Sequence, residues 1–139
     1  MKKIVSFILV MVCALGCALT LSACEDKKYA GTYEMIDISG TIVVNGQTTY
    51  LSTEMYEYYR ITLKRSGKAI VESKGRDNGL EYRNEGEWEE EDGKIELRTK
   101  SSGITVTEVL DWKDGVITYN ANQYSSGVSM NVTIILKKQ

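Results

Sequence analysis

Chemistry in this chain has to rest on carboxylates, lysine, tyrosine or serine. Its 139 residues include no histidine, which removes the commonest general acid–base group and most transition-metal sites. The three cysteines, Cys13, Cys17 and Cys24, all lie near the N-terminus, so the rest of the chain has no thiolate site and no disulfide. Two acidic features remain. The run Glu85 to Asp92 invites a calcium or cationic-ligand reading, because hard cations take several carboxylate oxygens. Glu108 stands apart, in an apolar, β-branched stretch. A glycosidase would need two facing acids about 5–10 Å apart, and the strand register derived below turns only Glu108 indoors. The expectation is therefore no enzyme, no catalytic residue, no metal and no cofactor.

The N-terminal segment carries a different chemistry. Lys2 and Lys3 form a positive n-region, an apolar run follows from Ile4 to Leu19, and Leu21-Ser22-Ala23-Cys24 closes it. This resembles the bacterial lipobox, in which small residues precede a cysteine whose thiol takes a diacylglycerol before cleavage. The alternative is an uncleaved transmembrane anchor, since the run is barely long enough to span a bilayer. That alternative gives no reason for cysteine to follow Leu-Ser-Ala. The division expected is a signal peptide over 1–23, lipidated Cys24 with a short tether over 24–30, and one domain over 31–139. Two or three acyl chains anchor firmly, and the six residues from Glu25 to Ala30 reach only about 20 Å. The expected place is the extracytoplasmic side of the cell membrane. Once Lys2 and Lys3 leave, 15 of the 17 Lys and Arg face 19 Asp and Glu, a net charge of about −4. That balance argues against nucleic acid as a partner.

The elements that must position Glu108 announce themselves by their turns. Ser66-Gly67, Asn78-Gly79, Asp92-Gly93, Ser102-Gly103, Asp114-Gly115 and Ser126-Gly127 recur at 10–14 residue spacings, with Val, Ile, Thr, Tyr and Trp between them. That beat predicts consecutive β-hairpins. Two-residue loops then fix the cross-strand partners. Trp88 faces Leu97, Glu90 faces Ile95, Glu91 faces Lys94, Glu87 faces Arg98 and Glu85 faces Lys100. Ile95 faces Leu110, Leu97 faces Glu108 and Thr99 faces Val106. Trp112 faces Ile117, Leu110 faces Tyr119, Tyr119 faces Ile134, Ala121 faces Val132 and Ile117 faces Leu136. One face stays inward throughout. Asn78-Gly79 would set Val71 opposite Gly86 and Ala69 opposite Trp88, and a three-residue loop at Ser66-Gly67 would pair Leu63 with Val71. Seven strands run from about Tyr56 to Lys137. Gly31 to Leu51, with Asn45-Gly46 inside it, adds one long strand or three short ones. The fold expected is an all-β, antiparallel up-and-down meander closing into a barrel of eight or ten strands.

Gly31-Thr32-Tyr33, the hairpin Gly86-Glu87-Trp88 with Asp92-Gly93-Lys94-Ile95-Glu96-Leu97, and the ending Met130 to Lys138 together resemble the lipocalin-like domains of small bacterial lipoproteins. The resemblance covers the whole mature chain through pattern-like motifs. It implies a small barrel and no catalytic residues to carry over.

Within that barrel the register sorts the candidate sites. Glutamates of the acidic run fall opposite Lys94, Arg98 and Lys100, which favours a solvated salt ladder over a cation site. Ala69, Trp88, Ile95, Leu110, Trp112, Ile117 and Leu136 gather at one end as an apolar plug. Tyr82, Asn84, Thr99, Glu108, Tyr119, Gln123 and Met130 gather toward the other as a wettable mouth, and these seven are the candidate ligand-binding residues. An inward Glu108 is either a polar anchor for a ligand or a carboxylate satisfied by an inward Tyr, by Gln123 or by water. Tyr56, Tyr58 and Tyr59 could form an aromatic shelf, with at least one turned inward. Asn131-Val132-Thr133 fits a glycosylation pattern that carries no weight in a bacterial strand. The function expected is a membrane-anchored binding module for a small, partly apolar ligand or an envelope protein. The alternative is a structural or protein-interaction lipoprotein with a filled core. Strand one should start at the plugged end, so the tether would hold that end toward the membrane.

Overall fold

The computed structural model describes residues 28–139, and all of its regular structure except one turn of 3-10 helix is β. The expected signal, Cys24 and the start of the tether lie outside the described residues. The strands are β1 (Gly31–Val44), β2 (Gln47–Tyr50), β3 (Tyr56–Leu63), β4 (Lys68–Gly75), β5 (Glu81–Glu91), β6 (Lys94–Ser101), β7 (Ile104–Lys113), β8 (Val116–Ser125) and β9 (Val128–Lys138). Consecutive strands from β3 to β9 pair antiparallel, β3 pairs with β1, and β1 pairs with β9, which closes an eight-stranded barrel. This is the barrel the turn spacing predicts, and it agrees with the lipocalin-like resemblance. The N-terminal third supplies one long strand, and β2 is a short flap hydrogen-bonded to its far half.

Turn chemistry explains most of the register. Asn45-Gly46, Asp92-Gly93, Ser102-Gly103 and Asp114-Gly115 all have both central residues at positive φ, the primed geometry whose twist suits a two-residue hairpin. Three of these fix β5–β6, β6–β7 and β7–β8, and the expected pairs Trp88–Leu97, Leu97–Glu108, Thr99–Val106 and Trp112–Ile117 all form. On β8–β9, Tyr119–Ile134, Ala121–Val132 and Ile117–Leu136 form as well.

Two registers differ from expectation. Asn78-Gly79 sits inside a longer connection in which the Gly75 amide donates to Leu80 at 3.0 Å, so Ala69 faces Gly86 and Val71 faces Asn84. The Asn78 side chain accepts from the Leu80 amide at 3.0 Å and turns the chain itself. The loop at Arg65-Ser66-Gly67 has three residues, but Leu63 pairs with Ala69 and Ile61 with Val71. Both corrections are shifts of two residues, which preserve the inward face because side chains alternate with period two.

Gly40 shows why β1 can change partners midway. It lies at φ 122, and a Cβ there would overlap the Asn131 carbonyl oxygen of β9. Its own carbonyl accepts from Leu51 at 3.0 Å, just beyond the end of β2. β1 therefore pairs with β3 only over Gly31–Glu34, then with β2 over Thr41–Val44.

The core fills the plugged end. Tyr33, Leu63, Ile95, Leu97, Leu110, Ile117 and Leu136 are all essentially inaccessible. Tyr29 and Ala30, placed with the tether by the sequence reading, are buried in the same cluster. The Tyr29 ring packs on Trp112 at 4.7 Å, and the Tyr33 hydroxyl donates to the Tyr29 carbonyl at 2.6 Å while accepting from the Trp112 indole at 3.0 Å. The chain is thus fastened across the bottom of the barrel before its first strand begins. No helix among the described residues is long and apolar enough to cross a membrane.

Candidate functional site

The barrel wall is thin at two seams. At the first, β1 and β3 part after Glu34 and Arg60, and the segment carrying β2 and the 3-10 turn Thr53–Met55 lies over the gap. The Arg76 amide ties that turn to β4 by donating to the Met55 carbonyl at 2.9 Å. At the second, β7 and β8 pair only at Asp111–Thr118, Trp112–Ile117 and Lys113–Val116. Beyond that, β7 follows β6 and β8 follows β9, so the expected pair Leu110–Tyr119 is not formed.

This second seam opens a space of about 380 Å³ lined by Glu108, Tyr119, Gln123 and Met130, with Val106 and Ala121 among the apolar residues around them. Four of the seven candidate ligand residues therefore meet there. Tyr82 and Asn84 stay on β5, hydrogen-bonded to each other at 3.2 Å, with Tyr82 half exposed at the rim. Thr99 lies on β6, where its methyl packs beside Gly86, and it borders a different groove with Lys68 and Arg98. A Cβ on Gly86 would overlap the Arg98 carbonyl oxygen, so glycine is what lets β5 and β6 approach.

Glu108 is half-buried, and its carboxylate accepts from the Tyr119 hydroxyl at 2.6 Å. An inward tyrosine was one of the partners open to it by register. Burial pushes the Tyr119 hydroxyl well above the usual tyrosine pKa, and its hydrogen bond to Glu108 and the carboxylate's charge push it further. Among the described residues no lysine or arginine pairs with Glu108, and no second carboxylate lines the space.

Of the three tyrosines Tyr56, Tyr58 and Tyr59, of which at least one was expected to turn inward, Tyr59 does so, and it borders the first seam rather than the second. Burial raises its hydroxyl pKa strongly, and the Glu108 charge adds to the rise. It packs edge-on against Tyr56 at 6.1 Å between ring centres. The signal was present, because Ile61 and Leu63 are inward and alternation carries Tyr59 with them. Tyr58 points elsewhere, with the Arg60 guanidinium 4.4 Å from its ring.

The acidic run behaves as a charged outer face: the expected cross-strand neighbours Glu91–Lys94 and Glu87–Arg98 form, but the charged ends reach other partners. Lys94 reaches Asp111 at 3.0 Å rather than Glu91, and Arg98 reaches Glu89 at 3.0 Å rather than Glu87. The ladder ends at Gly86–Thr99, short of Glu85 and Lys100, and Glu85 takes Arg83 at 2.9 Å instead. Glu89, Glu91 and Glu96 bring carboxylate oxygens within 4.8 Å of one another. The Glu91 carboxyl is raised above its ordinary value by a hydrogen bond to Glu96 and by that neighbour's charge. Arg98 lies against the trio and offsets part of its charge, which keeps the salt-ladder account sufficient.

Set against protein-family models, curated proteins and solved structures, the chain matches none of them.

Proposed function

We propose that this chain is an extracytoplasmic lipoprotein, anchored through lipidated Cys24, whose barrel holds a small, partly apolar ligand at the β7–β8 seam. The observation that carries the binding half is the open space beside Glu108 and Tyr119, with Val106, Ala121 and Met130 as its apolar walls. A few polar groups converging on an apolar concavity is the usual make-up of a small-molecule site. The anchoring half rests on Leu21-Ser22-Ala23-Cys24.

The packed entry sharpens the membrane geometry in this reading. Tyr29 and Ala30 belong to the core, and the Lys138 ammonium donates to the Lys28 carbonyl at 3.2 Å. Only Glu25 to Lys27 then separate Cys24 from the packed entry, and the chain from Cys24 to Lys28 can span at most about 14 Å. The Gly115 turn is beside this entry, its carbonyl accepting from the Lys138 amide at 2.8 Å. The plugged end would face the lipid and the seam, on the barrel's side, would widen away from it, so crosslinking to lipid from near Gly103 rather than near Gly115 contradicts this orientation.

A neutral polarity probe tests the site. N-phenyl-1-naphthylamine should bind the full chain one to one with enhanced fluorescence, and Ala121→Phe, which fills the seam, should abolish the enhancement with the circular dichroism unchanged. Equal enhancement with Ala121→Phe overturns the seam as the binding site, and no enhancement with the unaltered chain, together with no binding of small charged or neutral solutes, overturns the binding reading. The hydrogen bond that already satisfies Glu108 favours the second reading, a structural or protein-interaction lipoprotein with a filled core.

A further inference from the structure

The mouth has a charge of one sign and nothing of its own to cancel it. Glu108 is half withdrawn from water, and the neutral Tyr119 hydroxyl is its one protein hydrogen-bond partner among the described residues. The other polar groups lining the space, Asn120, Asn122 and Gln123 among them, are uncharged, and neither lysine nor arginine lines it. A ligand carboxylate would place two negative charges together in a partly dry site. A neutral ligand would strip water from Glu108 without replacing its stabilisation. A cation does both jobs.

An aromatic ring narrows the kind of cation. Tyr119 lines the space beside the carboxylate its hydroxyl bonds. Tyrosine faces attract ammonium groups through the ring quadrupole, and the attraction grows when water is excluded. A hydrated metal ion would instead call for several oxygen anions, and Glu108 is alone here. The apolar neighbours Val106, Ala121 and Met130 suit a short hydrocarbon portion beside the charge.

We infer that the ligand of this seam is an organic ammonium compound, its nitrogen paired with the Glu108 carboxylate beside the Tyr119 ring and its alkyl portion against Val106 and Met130. This inference rests on the binding reading above and specifies the ligand's chemical class.

Isothermal titration of the full chain at pH 7 with n-butylammonium, butanoate and 1-butanol tests it. Butylammonium should bind at least tenfold tighter than either analogue, and Glu108→Gln should lower its affinity at least tenfold, to the level of the alcohol. Tyr119→Phe, which keeps the ring, should retain binding, whereas Tyr119→Leu should weaken it several-fold. Circular dichroism of each variant reports its fold, and the Tyr119 pair decides the matter if Glu108→Gln does not fold. Equal binding of all three compounds, or a preference for butanoate, overturns the ammonium inference while leaving a binding site in place. No binding of any of the three, together with no probe enhancement, overturns the inference and the binding reading alike.

Discussion

Removing one hydroxyl at the base of the barrel should loosen the whole N-terminal entry. The Tyr33 side chain is inaccessible to solvent, and its oxygen joins three elements by donating to the Tyr29 carbonyl and accepting from the Trp112 indole. Tyr33→Phe keeps the ring and its packing but deletes both hydrogen bonds. A net hydrogen bond is worth about 1 kcal/mol, and a buried group left without a partner costs about 1–3 kcal/mol. The Trp112 N–H is only partly buried and can find water, whereas the Tyr29 carbonyl lies against a buried residue. The expected loss is therefore about 2–4 kcal/mol. For a domain of this size each kcal/mol moves the melting temperature by roughly 3–6 °C, which gives a drop on the order of 6–24 °C. Urea titration followed by tryptophan fluorescence measures the loss directly, with an unchanged m-value showing that the unfolding transition is the same one. A double-mutant cycle with Trp112→Phe isolates the Tyr33–Trp112 part, which should be about 0.5–1.5 kcal/mol. A loss below about 0.5 kcal/mol for Tyr33→Phe would refute the view that this hydroxyl fastens the entry segment.

Three further outcomes follow from particular contacts. Gly86→Ala forces a methyl onto the Arg98 carbonyl and should cost about 1–3 kcal/mol or more in a denaturant titration; a neutral result would show that β5 and β6 do not approach so closely. Tyr33, Tyr59 and Tyr119 all have raised pKa values in the fold. The unfolded chain therefore releases protons near pH 10 that the folded chain retains, so this stabilisation is whole below pH 10 and is lost as pH rises above it. Absorbance at 295 nm should show Tyr59 and Tyr119 ionising only with alkaline unfolding, and their full titration while the fold persists would contradict this. Cys24→Ser should abolish incorporation of an alkyne-labelled fatty acid and release the domain from the membrane fraction, and retained label would remove Cys24 as the anchor.

Much of the barrel was legible because glycine turns and alternation are local. Asp92-Gly93, Ser102-Gly103 and Asp114-Gly115 each dictate a primed turn, and from there Trp88, Leu97, Ile95 and Leu110 follow by counting. The counting failed where other residues set the loop. At Asn78-Gly79 the Asn78 side chain caps Leu80 and lengthens the connection, and alternation alone cannot detect a shift of two residues. The plug was legible for the same reason as the register, but the inclusion of Tyr29 was not. Its burial depends on a hydrogen bond to Tyr33 and a ring contact with Trp112, 83 residues away in the chain.

The mouth was only half legible. Register turns Glu108, Tyr119, Gln123 and Met130 inward, but it assumes that β7 and β8 stay paired, and they part after Asp111. That parting moves the opening from the barrel's end to its side, which separates Thr99, Tyr82 and Asn84 from the other four. Ion-pair partners on the outer face were likewise misassigned, because long Lys and Arg side chains reach diagonal neighbours as readily as opposite ones.

Native mass spectrometry of the chain, purified without denaturant from the cells that make it, tests the binding account most directly. The account predicts a species heavier by one small basic molecule, absent from Glu108→Leu, whose fold is checked by circular dichroism. Bare protein in both preparations, with no mass added by exposure to butylammonium, would contradict it and leave a barrel filled by its own side chains.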